Sequence, residues 1–344
     1  MQSIKNKLLA AVQIGLLAFA GSAFAADKVY TANEGAAVVD VLDAASLKPL
    51  SSIHVGMKPH NVQVSPDGKF IWVTNMGEPS KAGNAEAKKE AEGGHVDKPG
   101  AVWVIDAGNE AIVAKVPVGK HPAHVVVSPD GSTAYVTNSG DNTISVIDAV
   151  SRSPVTTIAV GKFPHGLRIS PDGKEIYLAD MKGGTVSVVD TASRKEVAQI
   201  PVGKMPAQVG FTPDGRLVAV SLAGENAVAV IDTATRKVVH KVSVGNMPIQ
   251  LFATPDSRTV VVANQGSREK PGNSVSVIDL EHFKVAKTVE TGAGAHGVVI
   301  DREGRYAYVT NSFADSVSMV DLKEGKVVKT TPVSKNPNGI NMTP

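Results

Sequence analysis

The chain repeats with a period of 42 residues, and this period limits the folds open to it more than any other feature. A motif of two apolar residues followed by aspartate recurs at Asp43, Asp106, Asp148, Asp190, Asp232, Asp279 and Asp321. The successive spacings are 63, 42, 42, 42, 47 and 42 residues. Insertions at 76–100 and 265–273 account for the two longer spacings. Seven copies of one unit indicate a repeat architecture rather than a set of separate domains.

Each unit contains four short segments with the composition of β-strands. In a typical copy they are residues 124–127, 134–138, 144–148 and 155–160. The first segment follows a proline and ends in a Ser-Pro-Asp-Gly turn, which recurs at 65–68, 128–131 and 170–173. Four strands in a unit of this length are typical of a propeller blade. The sequence therefore predicts an all-β, seven-bladed β-propeller with four-stranded blades.

The two ends of the chain predict how the ring closes. The repeat region begins with a second strand, at 29–33, and ends with a first strand, at 339–342. We therefore expect the first blade to combine three strands from the N-terminus with one from the C-terminus. Such pairing joins the chain ends and leaves no open sheet edge at the point of closure.

The second strands carry the motif that identifies a family resemblance. Residues 135–138 and 308–311 both read Tyr-Val-Thr-Asn, and variants occur at 72–75, 177–180 and 261–264. The chain thus resembles the YVTN β-propeller repeat family over residues 29–344. The resemblance implies the propeller fold, whereas the function stays open because one fold serves many functions.

Residues 1–25 have the features of a secretory signal peptide. Lys5 and Lys7 are followed by an apolar run at 8–20 and by Ala-Phe-Ala at 23–25. We expect residues 26–344 to form a single propeller domain that is exported, soluble and periplasmic, with no membrane insertion after cleavage. Lys5 and Lys7 are the only charged residues before position 26, so their removal changes the formal charge from +2 to zero. A neutral chain argues against nucleic-acid binding, and we expect a monomer.

The absence of cysteine restricts the chemistry further. It excludes disulfides, iron–sulfur clusters, covalently attached c-type haem and a thiol nucleophile. Any metal ion must therefore be bound by histidine, methionine or carboxylate groups.

Four histidines lie at the start of the first strand, after the repeat proline or, for His296, after the alanine that replaces it. First strands line the channel of a propeller, so these residues should meet at the channel mouth. The four are His60, His124, His165 and His296, and His121 lies in the same type of loop. Neutral imidazole is a good ligand for zinc and copper. The pattern predicts a metal site at the channel mouth, although hydrogen bonding in a wet channel would explain it equally well.

Weaker candidates lie in loops on the same end of the ring. His95 belongs to the 76–100 insertion, which we expect on the channel-mouth face, and Asp180 ends a second strand. Met205 and Met247 precede repeat prolines, and their thioether sulfur would favour copper(I). The cofactor prediction is thus copper or zinc.

The sequence leaves three functions open. The first is a periplasmic protein that holds or delivers a metal ion, with a metal-trafficking or other periplasmic protein as its partner. The second is a non-enzymatic interaction scaffold, as in other YVTN-repeat proteins. The third is a small-molecule hydrolase, because propellers of similar appearance include lactonases. Arg168, the one arginine on a channel-lining segment, gives the hydrolase hypothesis only weak support. Propellers that hold haem d1 are also similar, but they have eight blades. No catalytic motif is apparent.

Overall fold

The computed structural model describes residues 27–77 and 98–344, and every regular element in these ranges is a β-strand. The 28 strands, β1 to β28 in chain order, form seven antiparallel sheets of four strands each. The protein is a seven-bladed β-propeller, as the repeat predicts. None of the described residues belongs to a helix long and apolar enough to cross a membrane.

The first blade closes the ring by combining the two ends of the chain. Outward from the channel, its strands are β28 (Pro337–Met342), β1 (Lys28–Asn33), β2 (Val38–Asp43) and β3 (Pro49–His54). Val29 pairs with Met342, and Thr31 pairs with Ile340. The prediction of three N-terminal strands and one C-terminal strand is therefore confirmed.

Blades 2 to 7 follow in chain order, each running from an inner to an outer strand. Blades 2 to 4 comprise β4 (Asn61–Val64), β5 (Phe70–Asn75), β6 (Pro99–Asp106), β7 (Ile112–Lys120), β8 (Pro122–Val127), β9 (Thr133–Asn138), β10 (Thr143–Asp148), β11 (Ser153–Ala159), β12 (Pro164–Ile169), β13 (Glu175–Asp180), β14 (Thr185–Asp190) and β15 (Lys195–Pro201). Blades 5 to 7 comprise β16 (Pro206–Phe211), β17 (Leu217–Leu222), β18 (Ala227–Asp232), β19 (Lys237–Ser243), β20 (Pro248–Ala253), β21 (Thr259–Gly266), β22 (Pro271–Asp279), β23 (Lys284–Glu290), β24 (Ala295–Ile300), β25 (Tyr306–Asn311), β26 (Ser316–Asp321) and β27 (Lys326–Pro332).

One of the two insertions lies entirely within the described residues, whereas most of the other lies outside them. The 265–273 insertion lengthens the hairpin between β21 and β22, in which Gly266 pairs with Pro271. Most of the 76–100 insertion lies outside the described residues. Its described ends, Met76 and Gly77, exchange backbone hydrogen bonds with Met57 just before β4, which places them on the channel-mouth face.

The hydrophobic core is divided into layers between neighbouring blades. One layer joins blades 4 and 5 through Tyr177, Val188 and Val220, and each other pair of neighbours has a similar layer. The layer between blades 7 and 1 contains Ile340 and Met342 of the C-terminal strand. The middle strands are buried on both faces because each face packs on a different neighbour.

The repeated aspartates and asparagines serve the blades. Asp148 ends β10, and its carboxylate accepts backbone N–H bonds from Val150 and Ser151 in the following turn. Asn138 ends β9, and its amide donates to the hydroxyls of Thr143 and Ser145 on the next strand. Equivalent contacts recur in other blades, so these residues are structural.

An irregularity at the start of the inner strands shapes the channel mouth. In blade 3 the register with the second strand shifts between Pro122 and Val125, and blades 4 to 7 show similar shifts. A bulge of this kind releases side chains from strict alternation. Two consecutive residues after the proline can therefore both face the channel. We call them positions 1 and 2 of the inner strand.

Candidate functional site

Histidines from four blades meet at one end of the channel. His60, His165 and His296 occupy position 1 in blades 2, 4 and 7, and His124 occupies position 2 in blade 3. Ring nitrogens of His60, His124 and His165 all lie within 4.8 Å of one another. The ring centroid of His296 is 6.4 Å from that of His60. The convergence inferred from the repeat is thus present in the structure, and we call these four residues the histidine cluster.

Two of the rings are oriented by backbone carbonyls. His165 Nδ1 lies 2.9 Å from the carbonyl oxygen of Ala207, and His296 Nδ1 lies 3.2 Å from that of Asn338. A carbonyl can only accept, so both Nδ1 atoms carry the proton. Their Nε2 atoms are therefore acceptors, and that of His165 accepts a hydrogen bond from His60 Nε2 at 3.1 Å. Hydrogen bonding of the second ring nitrogen to a carbonyl is the usual arrangement for a metal-binding histidine.

The third ring, His124, is held by a glutamine from blade 5. Gln208 Oε1 accepts the backbone N–H of Val209 at 3.0 Å, so its amide nitrogen is the group that faces His124 Nδ1, at 3.4 Å. Gly166 makes this reach possible, because a Cβ at that position would lie 2.1 Å from Gln208 Oε1. His124 Nε2 is buried and has no hydrogen-bond partner among the described residues. An orphaned buried nitrogen of this kind is uncommon and calls for an occupant.

Burial keeps all four imidazoles neutral. It lowers the pKa of His60 to about 4 and the pKa of His165 and His296 to about 3. Burial also lowers the pKa of His124 well below its usual value, and the neighbouring histidines and Arg168 lower it further. Neutral imidazole is the form that binds a metal ion, so at pH 7 no proton competes for the ring lone pairs.

The spacing of two ring nitrogens fits a metal shell. Nε2 of His60 and Nε2 of His165 are 3.1 Å apart. Two nitrogens bound at the usual zinc distance in a tetrahedral shell would be about 3.3 Å apart. The hydrogen bond between the two rings thus holds them close to the separation that a shared metal ion would impose.

A pocket of about 250 Å³ opens above the cluster, off the centre of the ring, and residues of blades 1 to 4 line it. His60 and His165 line it, and His121 lies beside them. Its walls also include Met76, Phe163 and Met181. Met76 and Met181 were not among the candidates selected from the sequence. Nothing in the repeat indicates on which side of the ring the pocket lies.

The weaker candidates lie elsewhere. Met205 is 43% exposed and Met247 packs against Ala207 and Ile249; neither lines the pocket. Asp180 is fully buried, and its carboxylate accepts hydrogen bonds from the Thr185 and Ser187 hydroxyls. That carboxylate occupies the place that an asparagine has in other blades. His95 lies outside the described residues.

Two family models match consecutive parts of the chain. Residues 104–199 match a model described as a seven-bladed β-propeller lactonase. Residues 201–343 match a model described as a YNCE-like β-propeller. Each match covers less than half of the chain, and together they agree with the seven-bladed fold.

Individual proteins are similar to this chain at low identity. The curated protein "Antigen Lp49" of Leptospira interrogans is 30% identical over 118 residues, which is 34% of this chain and 24% of that protein. Among solved structures, hydrazine synthase of Kuenenia stuttgartiensis has a TM-score of 0.69 and 22% identity, covering 83% of this chain and 90% of that chain. A putative 6-phosphogluconolactonase of Bacteroides fragilis has a TM-score of 0.73 and 14% identity, covering 93% and 98%. At these identities the structures support the fold alone.

Proposed function

We propose that this propeller binds one zinc or copper ion at the histidine cluster. One observation carries the proposal: three neutral imidazoles from three blades place nitrogen atoms within 4.8 Å of one another at the base of a pocket. Three imidazoles with a further position open to the pocket match the donor sets known for zinc and copper sites. His296, on the far side of the cluster, is the candidate fourth ligand.

Whether zinc or copper binds depends on the oxidation state of the copper and on the side chains that line the pocket. Imidazole serves zinc and copper(II) alike, whereas thioether sulfur selects copper(I). Met76 and Met181 line the pocket that leads to the cluster. If copper is the natural ion, we expect these two residues to affect copper(I) affinity and to leave zinc affinity unchanged.

The repeat itself supplies variants that should preserve the fold. Position 1 is alanine in blades 3 and 5, so His60→Ala and His165→Ala introduce a residue that the fold already accepts there. Position 2 is glutamine in blades 5 and 6, so His124→Gln does the same. His54→Ala, in the exposed outer strand β3, is the matched control.

The test is equilibrium dialysis of the purified protein against zinc or copper, followed by elemental analysis. We expect one ion per chain in the wild type and in His54→Ala, and at least a hundredfold weaker binding in the three cluster variants. A wild-type protein with no ion, or cluster variants that bind as tightly as the wild type, would contradict the proposal.

A second candidate, lactone hydrolysis, is favoured by the lactonase match at residues 104–199. The matched region contains His124, His165 and Arg168, all of which line the channel. Turnover of a simple lactone that disappears in His165→Ala would support hydrolysis at this site. Absence of turnover by both the metal-free and the metal-loaded protein would leave metal binding as the function.

We also propose that the protein acts in the periplasm and exchanges its ion with a protein partner there. The leader-like residues 1–25 support export. Cell fractionation and N-terminal sequencing of the mature protein test this, and we expect a periplasmic protein that begins near Ala26. A cytosolic protein with an intact N-terminus would contradict it.

A further inference from the structure

Arg168 places a positive charge inside the channel, close to the histidine cluster. It lies on the inner strand β12, three residues after His165. Its charge contributes to lowering the pKa of His124. Burial lowers the pKa of Arg168 itself to about 10, and the side chain therefore stays protonated at pH 7.

No acidic group of the described residues compensates this charge. The hydrogen bond that the guanidinium makes is to the carbonyl of the adjacent Leu167, at 2.9 Å. Arg168 forms no ion pair with any described carboxylate. A half-buried cation without a counter-ion is costly, because the loss of hydration is not balanced by an opposite charge.

The fold does not require an arginine at this position. The equivalent residues of the other inner strands are uncharged: Gln63, Val126, Gly210, Phe252, Val299 and Asn341. Arg168 is thus the one charged residue at this level of the channel.

A second donor inside the ring also lacks a partner. Gln250 occupies position 2 of the inner strand β20, is 1% exposed, and its amide nitrogen has no hydrogen-bond acceptor among the described residues. Arg168 and Gln250 thus present N–H groups from two inner strands, while acceptors for them are missing. An oxyanion supplies such acceptors, and a guanidinium matches its paired oxygens with two parallel hydrogen bonds.

We propose that Arg168 forms a subsite for a small oxyanion, a carboxylate or inorganic phosphate, inside the channel next to the histidine cluster. The inference extends the proposed function, because an anion beside a bound metal ion would balance the charge of both the ion and Arg168. It does not depend on the metal, because the charge of Arg168 is present without one.

The test is isothermal titration of acetate and of inorganic phosphate into the purified protein, first freed of metal with a chelator and then loaded with zinc. Three variants are compared. Arg168→Gln removes the charge, Arg168→Val introduces the residue found at this position in blades 3 and 7, and Arg258→Gln changes an exposed arginine on the opposite face. Thermal unfolding of each variant checks the fold.

We expect at least one of the two anions to bind, at least tenfold more weakly in Arg168→Gln and Arg168→Val and unchanged in Arg258→Gln. The same anion should raise the melting temperature of the wild type but not of the Arg168 variants. The inference is overturned if neither anion binds in either metal state, or if binding is independent of Arg168. If zinc does not bind but an Arg168-dependent anion does, the metal proposal fails and the anion subsite stands.

Discussion

At the level of single residues, the histidines of the cluster differ in the hydrogen bond that each ring makes. His165 and His296 donate from Nδ1 to a carbonyl, which leaves Nε2 as the atom that can bind an ion. Nε2 of His165 accepts from His60 Nε2–H, so binding an ion between these two rings requires the His60 proton to move to Nδ1. His124 accepts at Nδ1 from the Gln208 amide, so its proton is on Nε2, the orphaned atom. Binding through that atom requires the proton to move to Nδ1 and the Gln208 amide to turn.

Gln208→Glu should therefore strengthen metal binding. A carboxylate can accept from His124 Nδ1–H and from the Val209 backbone N–H at the same time, which removes the need for the amide to turn. Groups that hydrogen-bond metal ligands change affinity by about 10–100-fold, and we expect roughly a tenfold gain for zinc. Competition with a chromophoric chelator measures it. Unchanged or weaker binding would show that His124 does not bind the ion through Nε2.

Asp180→Asn should stabilise the protein at neutral pH. Asp180 takes the place of the asparagine found in five other blades, and its Oδ1 is buried without a partner. Burial is the main cause that raises its pKa to about 6. We expect the amide to add about 1–2 kcal/mol to the free energy of unfolding at pH 7.

The pH dependence of the free energy of unfolding distinguishes the burial of the charged Asp180 carboxylate from a general packing effect. Between about pH 4 and 6 the folded protein holds a proton on Asp180, whereas the unfolded chain has lost it. The free-energy cost of burying the charged carboxylate is therefore fully present above pH 6 and is relieved as the pH falls. Urea unfolding at pH 7 and pH 5 should show the advantage of Asp180→Asn shrinking at pH 5. An equal advantage at both values would contradict the assignment.

At the level of strands, the inner strand of each blade combines a structural role with the site. Hydroxyl groups on second strands bond to the carbonyl of position 1 in the next blade, as Thr137 does to His165 at 2.7 Å. The bond fixes the backbone at the residue whose side chain enters the cluster. Histidines can therefore be replaced at this position without removing the contact that joins the blades.

The C-terminal strand should be essential because it completes both blade 1 and one core layer. Deletion of residues 337–344 would expose the edge of β1 and remove Ile340 and Met342 from the layer between blades 7 and 1. Loss of buried side chains of this size costs about 2–5 kcal/mol each. We expect the truncated protein to lose its cooperative thermal transition, whereas removal of Pro344 alone should leave it.

Much of the fold was predictable from the sequence because each repeat carries its own strand and turn signals. The expected second strand 134–138 is β9 (Thr133–Asn138), and the expected third strand 144–148 is β10 (Thr143–Asp148). The convergence of histidines was predictable because a ring presents equivalent positions to one channel. The off-centre position of the pocket was not predictable, because it depends on the conformations of the loops around the channel mouth. Met76 and Met181 therefore line it, while Met205, on blade 5, faces solvent.

For the whole molecule, the buried histidines should make the metal-free protein sensitive to acid. The pKa values of His60, His165 and His296 are lowered to about 3 or 4 in the folded state, so the unfolded chain binds more protons below about pH 6.5. Their contribution to stability is complete above that pH and is lost as the pH falls toward the folded values. Asp180 acts in the opposite direction, and only over about pH 4–6.

We expect the free energy of unfolding to fall by about 1–2 kcal/mol for each of His60, His165 and His296 between pH 7 and pH 5. Denaturant titrations at several pH values measure this. The variant His60→Ala/His165→Ala should show a shallower decline, and His54→Ala the same decline as the wild type. Equal slopes in all three proteins would mean that the cluster is not buried in its neutral form.

The central claim is that the histidine cluster is a metal site, and the position of a bound ion tests it most directly. A crystal soaked in zinc or copper and measured across the absorption edge of that metal locates the ion by its anomalous scattering. The account predicts one peak about 2.0–2.1 Å from Nε2 of His60 and of His165, within bonding distance of a His124 nitrogen. No peak at the cluster, at a metal concentration that gives peaks elsewhere on the same molecule, would contradict it.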